Sequence, residues 1–288
     1  MNSIRTIEKD KFPSLLREAC SRWNGAPRKL YLRGTLPPDD RIFLTIVGSR
    51  KWSAYGKSAC ESLIRSLSGL PVVIISGLAL GIDSIAHEAA LAHGIPTIAV
   101  PGSGLADDMI YPASHAGLAR RIVESGGALL SPFEETIMGN DWTFPYRNRI
   151  MAGMAHATLV IEAGLKSGTL ITARNAIEFD RNLLVVPGSI FSEGSSGPHQ
   201  FLKLGATPIT SGDDLVEALG FGDRPKSVRD YSGLPPEERK IMEALQTPLS
   251  RDGIIQTTGM SVPKMNALIS LLEIKGLIKE SNGLFMRL

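Results

Sequence analysis

Between residues 42 and 219, short β-rich apolar runs alternate with longer segments of helical character. The runs IFLTIVG, VVIIS, PTIAVPG, GALLS, ATLVIEA and NLLVVPG read as strands. Their alternation with helices is the signature of βαβ units around a buried parallel sheet. Several runs end in Gly, Ser or Pro directly before a helical segment, so their C-terminal ends line one edge of the sheet. Open α/β sheets bind ligands at that edge. The pattern predicts an α/β fold over residues 42–221: an extended Rossmann-like, mostly parallel sheet with helices on both faces.

The flanks follow other patterns. Residues 1–41 predict a helix over Ser14–Trp23 and a short strand over Lys29–Arg33, closed by Gly34 and the breaker Leu36-Pro37-Pro38. They read as a cover on the main domain. Residues 222–235 mix turn formers with charges and lack an apolar period, as a linker does. Over 236–288 the pattern predicts helices at Glu237–Gln246, Arg251–Thr258 and Val262–Lys275, the last with Met265, Leu268, Ile269 and Leu272 on one face. A hairpin follows, LIKES and LFMRL joined by Asn282-Gly283, the dipeptide best suited to a type I′ turn. Three helices and a two-stranded wing make a winged helix.

Composition narrows the function classes. The two cysteines, Cys20 and Cys60, have no nearby Cys or His at metal-ligand spacing, so neither a disulfide framework nor a zinc site is indicated. A reducing cytoplasm fits. The N-terminus lacks the basic-then-apolar order of a secretory signal, and no run of eighteen apolar residues suggests a membrane span. A net charge of +2 is too small to mark a nucleic-acid partner by itself. Any such site must be a local arrangement of charges.

Candidate chemistry gathers at the strand ends. Gly48, Ser49 and Arg50 follow the first strand and precede a helix, where backbone amides, a hydroxyl and a guanidinium make a phosphate-sized anion site. A tight turn with a solvated arginine fits the same residues. Ser76-Gly77-Leu78-Ala79-Leu80-Gly81-Ile82-Asp83 repeats the device, with Ser76, Gly77 and Gly81 where a chain would approach a ligand. It has neither the Lys-Ser/Thr pair of a Walker A loop nor GxGxxG spacing, and no cofactor is implied. His87, one turn later, reads as a structural histidine in preference to a general base. Pro101–Leu105 and Pro187–Ser189 add two more loops of small residues.

Phe144-Pro145-Tyr146-Arg147-Asn148-Arg149 sets two cations beside aromatic rings that include Trp142, the combination expected of a single-strand groove. The competing reading buries Arg147 or Arg149 against a carboxylate such as Glu162. A split role, one arginine structural and the other exposed, fits as well. Lys166, Ser167, Gly168 and Thr169 supply a basic residue and a Ser-Gly-Thr helix start, whose hydroxyls cap the helix while its amides hold an anion. No Ser-His-Asp order, metal cluster or carboxylate pair can be argued from spacing, and the acids Glu134-Glu135 and Asp107-Asp108 read as solvated.

Taken in order, IVGSR, SGLALGIDSIAHEAAL, VPGSGL with YPASH, TFPYRNRIMAGMA, VIEAGLKSGTLITARNA and LLVVPG resemble the DprA/Smf family of DNA-processing proteins over roughly residues 12–219. FPYRNRIMAGMA and EAGLKSGTLITA are the most specific parts. The resemblance implies a non-enzymatic, dimeric protein that binds single-stranded DNA without sequence preference and loads the RecA recombinase during natural transformation. It assigns phosphate contact to Gly48, Ser49 and Arg50, to the SGLALGID loop, and to Lys166, Ser167 and Gly168.

Two features depart from the family. Gly197-Pro198-His199-Gln200 stands where relatives carry Gly-x-Asn, and a larger helical domain ahead of the sheet has too few residues here. The helix expected to read a duplex offers only Lys264 and Lys275, with Glu273, which favours protein contact or weak DNA contact. The rival reading is a nucleotide-binding module or a LOG-type nucleotide phosphoribohydrolase using the same pocket. That chemistry needs a PGGxGTxxE loop, and SGTLITARNA has Ala and Arg near the place of the acid, with Glu178 too late.

Overall fold

A computed structural model of the chain describes residues 3–222, 233–245, 248–281 and 283–287. It divides into two compact units, Met1–Asp223 and Arg224–Leu288. The segment read as a linker falls largely on residues 223–232, outside the described residues, as does Asn282 of the expected turn.

The first unit runs β1 (Arg5–Glu8), α1 (Ser14–Arg22), β2 (Lys29–Gly34), β3 (Ile42–Val47), α2 (Ala54–Ser66), β4 (Val72–Ser76), α3 (Ile82–Ala92), β5 (Thr97–Ala99), α4 (Ala116–Glu124) and β6 (Ala128–Ser131). It continues through α5 (Thr143–Gly153), β7 (Ala157–Val160), α6 (Thr169–Glu178), β8 (Asn182–Val185), α7 (Ser196–Lys203), β9 (Thr207–Pro208) and α8 (Gly212–Ala218). Among the described residues its sheet has nine strands in the order β1-β2-β6-β5-β4-β3-β7-β8-β9. All pairings from β6 to β9 are parallel.

Period-two alternation divides the core. Phe43, Val73 and Ile75 face the layer that includes α1, α5 and α6, with Leu16, Met151 and Phe179. Leu44, Val72 and Ile74 face α2, α3 and α8, with Ile64, Ala86 and Leu215. Burial of both faces explains why the strands read as almost unbroken apolar runs.

The N-terminal residues differ from the expected cover. Helix α1 packs on α5, but β2 pairs antiparallel with β6 and β1 with β2, so these strands extend the sheet itself. Neither pairing leaves a local signal, since an antiparallel edge depends on β6 from a hundred residues later. His199 places its Nε2 3.1 Å from the Gly188 carbonyl oxygen, so the imidazole now ties α7 to the loop after β8.

The second unit holds α9 (Pro236–Ala244), β10 (Leu249–Ser250), α10 (Arg251–Thr258), α11 (Val262–Ile274), β11 (Ile278–Ser281) and β12 (Leu284–Arg287). Ile241, Ile254, Met265, Ile269, Leu272 and Phe285 form its core. The expected wing gains a third strand, because β10 pairs with β12. Its two-residue length explains why the sequence pattern did not predict it.

Candidate nucleic-acid interface

The chain leaves β3 for β4, β5 and β6 on one side and returns to lay β7 on the other, so the sheet reverses between β3 and β7. The loops after these two strands splay apart, and the crevice between them is the ligand position of an open α/β sheet. A cleft of about 840 Å³ opens there, lined by Gly48–Lys51 from one loop and by Gly164 and Lys166–Thr169 from the other. Phe144, Arg147 and the turn Ser192–Gly194 complete it.

Hydrogen bonds across the switch point join the two loops. Thr169 donates its hydroxyl to the Gly48 carbonyl at 3.0 Å. Glu162, buried just past β7, accepts from the Ser53 amide at 3.0 Å and from the Ser53 hydroxyl, while the same hydroxyl accepts from Gly56 N to cap α2. Gly56 leaves room for this carboxylate, since a Cβ there would lie 2.2 Å from Glu162 Oε2. Ala163 N donates to Gly194 O at 2.7 Å, which brings in the third loop. The cleft is a frame held before any ligand arrives.

Arg50 and Lys166 are exposed in the cleft, and among the described residues neither forms an ion pair, although Arg50 acts on the buried Asp83 and the acids Asp141 and Glu193 share the cleft wall. Arg50 lies over the Phe144 ring, 5.5 Å from its centroid, which keeps the charge in place without neutralising it. Phe144 fits there because of Gly102, where a Cβ would lie 2.3 Å from the ring. Among the described residues the amides of Ser49, Arg50 and Gly168 have no acceptor in the protein. The N-cap of α6 is Gly168, which has no side chain to cap with; Ser167, one place earlier, accepts from Thr169 N at 3.2 Å, and Thr169 spends its hydroxyl on Gly48 instead.

Several expectations need correction. Ser76 is buried and donates to Ile46 O at 2.6 Å, so it faces the sheet and not a ligand. The Gly77 amide donates to Asp83 at 3.1 Å, and Ala79 N serves the same carboxylate. Those amides therefore satisfy an internal acid in place of a phosphate. Gly77 is required because Arg147 and Asp83 press on it from both sides: a Cβ would lie 1.5 Å from Arg147 Nη1 and 2.6 Å from Asp83 Oδ2. Gly81, at φ +87°, packs on the Ser49–Arg50 backbone, and Ile82 N donates to Ser49 O at 3.2 Å. The SGLALGID loop thus shapes the cleft from below.

The paired arginines divide, although neither takes Glu162. Arg147 is 4% exposed and donates to Val100 O at 2.7 Å. Burial lowers its pKa to about 10, and burial likewise raises that of Asp83, which Arg147 and the loop amides counteract. Arg149 leaves the cleft altogether: it pairs with Glu178 and its guanidinium lies between Trp23 and Phe179, 4.9 and 5.0 Å from their centroids. Tyr146 follows it, 4.9 Å from Trp23, with its hydroxyl on Gly25 O. On a helix, positions 144, 147 and 151 share a face while 146 and 149 turn from it, which separates side chains that are adjacent in sequence. His87 is structural, with Nδ1 2.8 Å from Thr97 Oγ1 and a pKa pushed down to about 3 by burial.

Three contributors escaped sequence reasoning, the first being Asp141 just ahead of α5. Lys51 lines the cleft, and its only signal was its place beside Arg50. The Ser192–Gly194 turn had none, because the loop after β8 reaches the cleft only once β8 lies beside β7.

Residues 3–220 match the family described as DNA recombination-mediator protein A, and residues 225–283 match the DprA winged helix domain. The chain belongs to the DNA recombination-mediator protein A family. It is 36% identical over 275 residues to Protein Smf of Escherichia coli, covering 91% of this chain and 72% of that one. It is 37% identical over 220 residues to DNA processing protein DprA of Streptococcus pneumoniae, covering 74% and 77%. A third relative, from Mycobacterium tuberculosis, is matched over 62% of its length.

Solved structures of the family agree with the fold. The X-ray structure of DprA from S. pneumoniae superposes with a TM-score of 0.67 at 35% identity, over 75% of this chain and 74% of that one. DNA processing protein A from Helicobacter pylori, solved for its single-stranded DNA binding mode, gives 0.65 at 29% identity, over 75% and 95%. Among the described residues no helix is long and apolar enough to cross a membrane, and no group of three or more His, Cys, Asp or Glu could hold a metal ion.

Proposed function

We propose that this chain binds single-stranded DNA without sequence preference, holding the phosphates in the cleft between the loops after β3 and β7. The observation that carries the reading is the pair Arg50 and Lys166, two exposed cations that form no ion pair among the described residues and stand on opposite walls of one cleft. Amides without acceptors lie beside them, and such a site suits a phosphate whatever base it bears. The single-strand binding of the H. pylori relative supports the same ligand. On this reading the protein acts as a cytoplasmic homodimer that delivers DNA to the RecA recombinase during natural transformation, and it has no catalytic role.

Titration of fluorescent single strands and blunt duplexes, beside an assay for free base released from nucleotides, tests the reading. The expected result is tighter binding of the single strand, similar affinity across sequences and no base release. Equal affinity for the duplex, or release of base, overturns it. Stimulation of RecA filament formation on DNA coated with single-strand-binding protein tests the loading step.

A further inference from the structure

Ile190 and Phe191, on the loop after β8, are 80% and 93% exposed. The loop is nevertheless well defined, since Ser192 N donates to Ser189 O at 3.0 Å and Phe191 N to Ser189 Oγ at 3.2 Å. An ordered turn that holds an aromatic ring out in water is a candidate contact surface.

The neighbouring residue, Ser192, lines two cavities at once. One is the phosphate cleft. The other, about 580 Å³, is bounded by Tyr55, Glu162, Pro187 and Ser189. Tyr55 is half exposed and its ring is oriented by a 2.6 Å hydrogen bond from its hydroxyl to Pro187 O.

The two cavities differ in charge. Arg50, Lys51, Arg147 and Lys166 line the first together with the acids Asp83, Asp141 and Glu193, which leaves its wall positive on balance, whereas the second has, among the described residues, no Lys or Arg in its wall and does have the Glu162 carboxylate. A phosphate is drawn to the first and repelled from the second. An uncharged base, with a π face to offer, suits the second.

We propose that the cavity beside Tyr55 marks a base-binding annex of the phosphate cleft, at whose edge, on the Ile190–Phe191 turn between the wall residues Ser189 and Ser192, a base of the same single strand stacks on Phe191. The proposal rests on the cleft being the DNA site. A strand leaving the cleft across Ser192 keeps its phosphates with the cations and turns a base towards the aromatic side. Stacking is indifferent to base identity, so the annex adds affinity without adding sequence preference.

The test uses the full chain, an oligothymidylate, and a strand of equal length and phosphate count whose bases are replaced by abasic sites. Phe191→Ala is expected to weaken oligothymidylate binding about tenfold, leave abasic-strand binding and the salt slope unchanged, and melt as the parent does. Phe191→Trp is expected to keep the parent affinity. Parent-like oligothymidylate binding by Phe191→Ala, or an equal loss on the abasic strand, overturns the annex. If Arg50→Ala lowers the salt slope while Phe191→Ala binds as the parent, the cleft stands and the annex falls. If the parent binds neither strand, the cleft reading fails and the annex with it. Normal DNA binding by Phe191→Ala combined with lost recombinase binding makes the turn a protein contact, which also overturns the annex.

Discussion

Ser53 donates both its backbone amide, at 3.0 Å, and its hydroxyl to the carboxylate of Glu162, a residue 109 positions later in the chain. The pair links the start of α2 to the end of β7 across the switch point of the sheet. Glu162 is 3% exposed whereas Ser53 is exposed, so water can reach Ser53 when Glu162 is removed but cannot readily replace Ser53 at the buried carboxylate.

Glu162→Ala is therefore expected to cost about 0.5–1.5 kcal/mol for each hydrogen bond lost, with water taking over the exposed Ser53 donors. Ser53→Ala is expected to cost about 1 kcal/mol as a lost helix cap, plus the effect of the bond to Glu162. A double-mutant cycle by chemical denaturation should return a coupling of about 0.5–3 kcal/mol. Additive losses would mean that the contact does not hold the loops.

Arg50→Ala and Lys166→Ala should each reduce the slope of log affinity against log salt by about 0.7 for a single strand, with little change in melting temperature. Among the described residues neither forms an ion pair or side-chain hydrogen bond with a buried acid, and Asp83 keeps Arg147 when Arg50 is removed. Arg147→Ala should behave in the opposite manner, because it removes the cation that most favours the ionised form of the buried Asp83 and leaves the Val100 carbonyl without its donor: a loss of about 1–3 kcal/mol in stability is expected. Salt titration and thermal melting together separate the two classes.

His87 gives the fold an acid-sensitive term. Its pKa is about 3 in the folded protein and near 6.5 when unfolded, so below pH 6.5 the unfolded chain binds a proton that the native one refuses. Its contribution to stability is complete above pH 6.5 and falls by about 1.4 kcal/mol per pH unit on the way down to the folded value. Asp83, whose carboxyl is raised by burial, opposes this in the acid range by favouring its protonated native form. His87→Gln should flatten the decline between pH 6 and 4 in a series of denaturation curves, and an unchanged slope would show that His87 is not its source.

In the winged helix, Lys264 pairs with Glu237, and Lys275 donates to Glu238 at 2.7 and 2.8 Å, Glu238 being 3% exposed. Both cations of the expected recognition helix are thus committed within their own unit. Lys264→Ala should leave DNA affinity and salt slope unchanged, and Lys275→Ala should lower the stability of this unit by about 1–3 kcal/mol through the orphaned Glu238. A chain ending at Gly222 should stay folded and keep single-strand binding. Loss of binding with intact circular dichroism would move the site to the winged helix.

The sequence by itself determined the layered α/β architecture and the winged helix, because both rest on local periodicity. Strands such as VVIIS are buried on both faces and read as apolar runs, while α11 shows its buried face at helical spacing. It also marked Gly48–Arg50 and Lys166–Thr169, since Gly and Ser at strand ends and a following helix are features of short segments. Only the tertiary structure decided which of the marked groups face the cleft. Arg147 and Arg149 look equivalent in the chain, yet one lies under the cleft and the other binds Glu178 beyond it. Gly77 resembled a phosphate loop until Asp83 took its amide. Hydrogen-bond partners are set by which strands become neighbours, and the pairing of β3 with β7 joins segments more than a hundred residues apart. No window along the chain contains both, so the partner of a buried polar group became legible only when the sheet had closed.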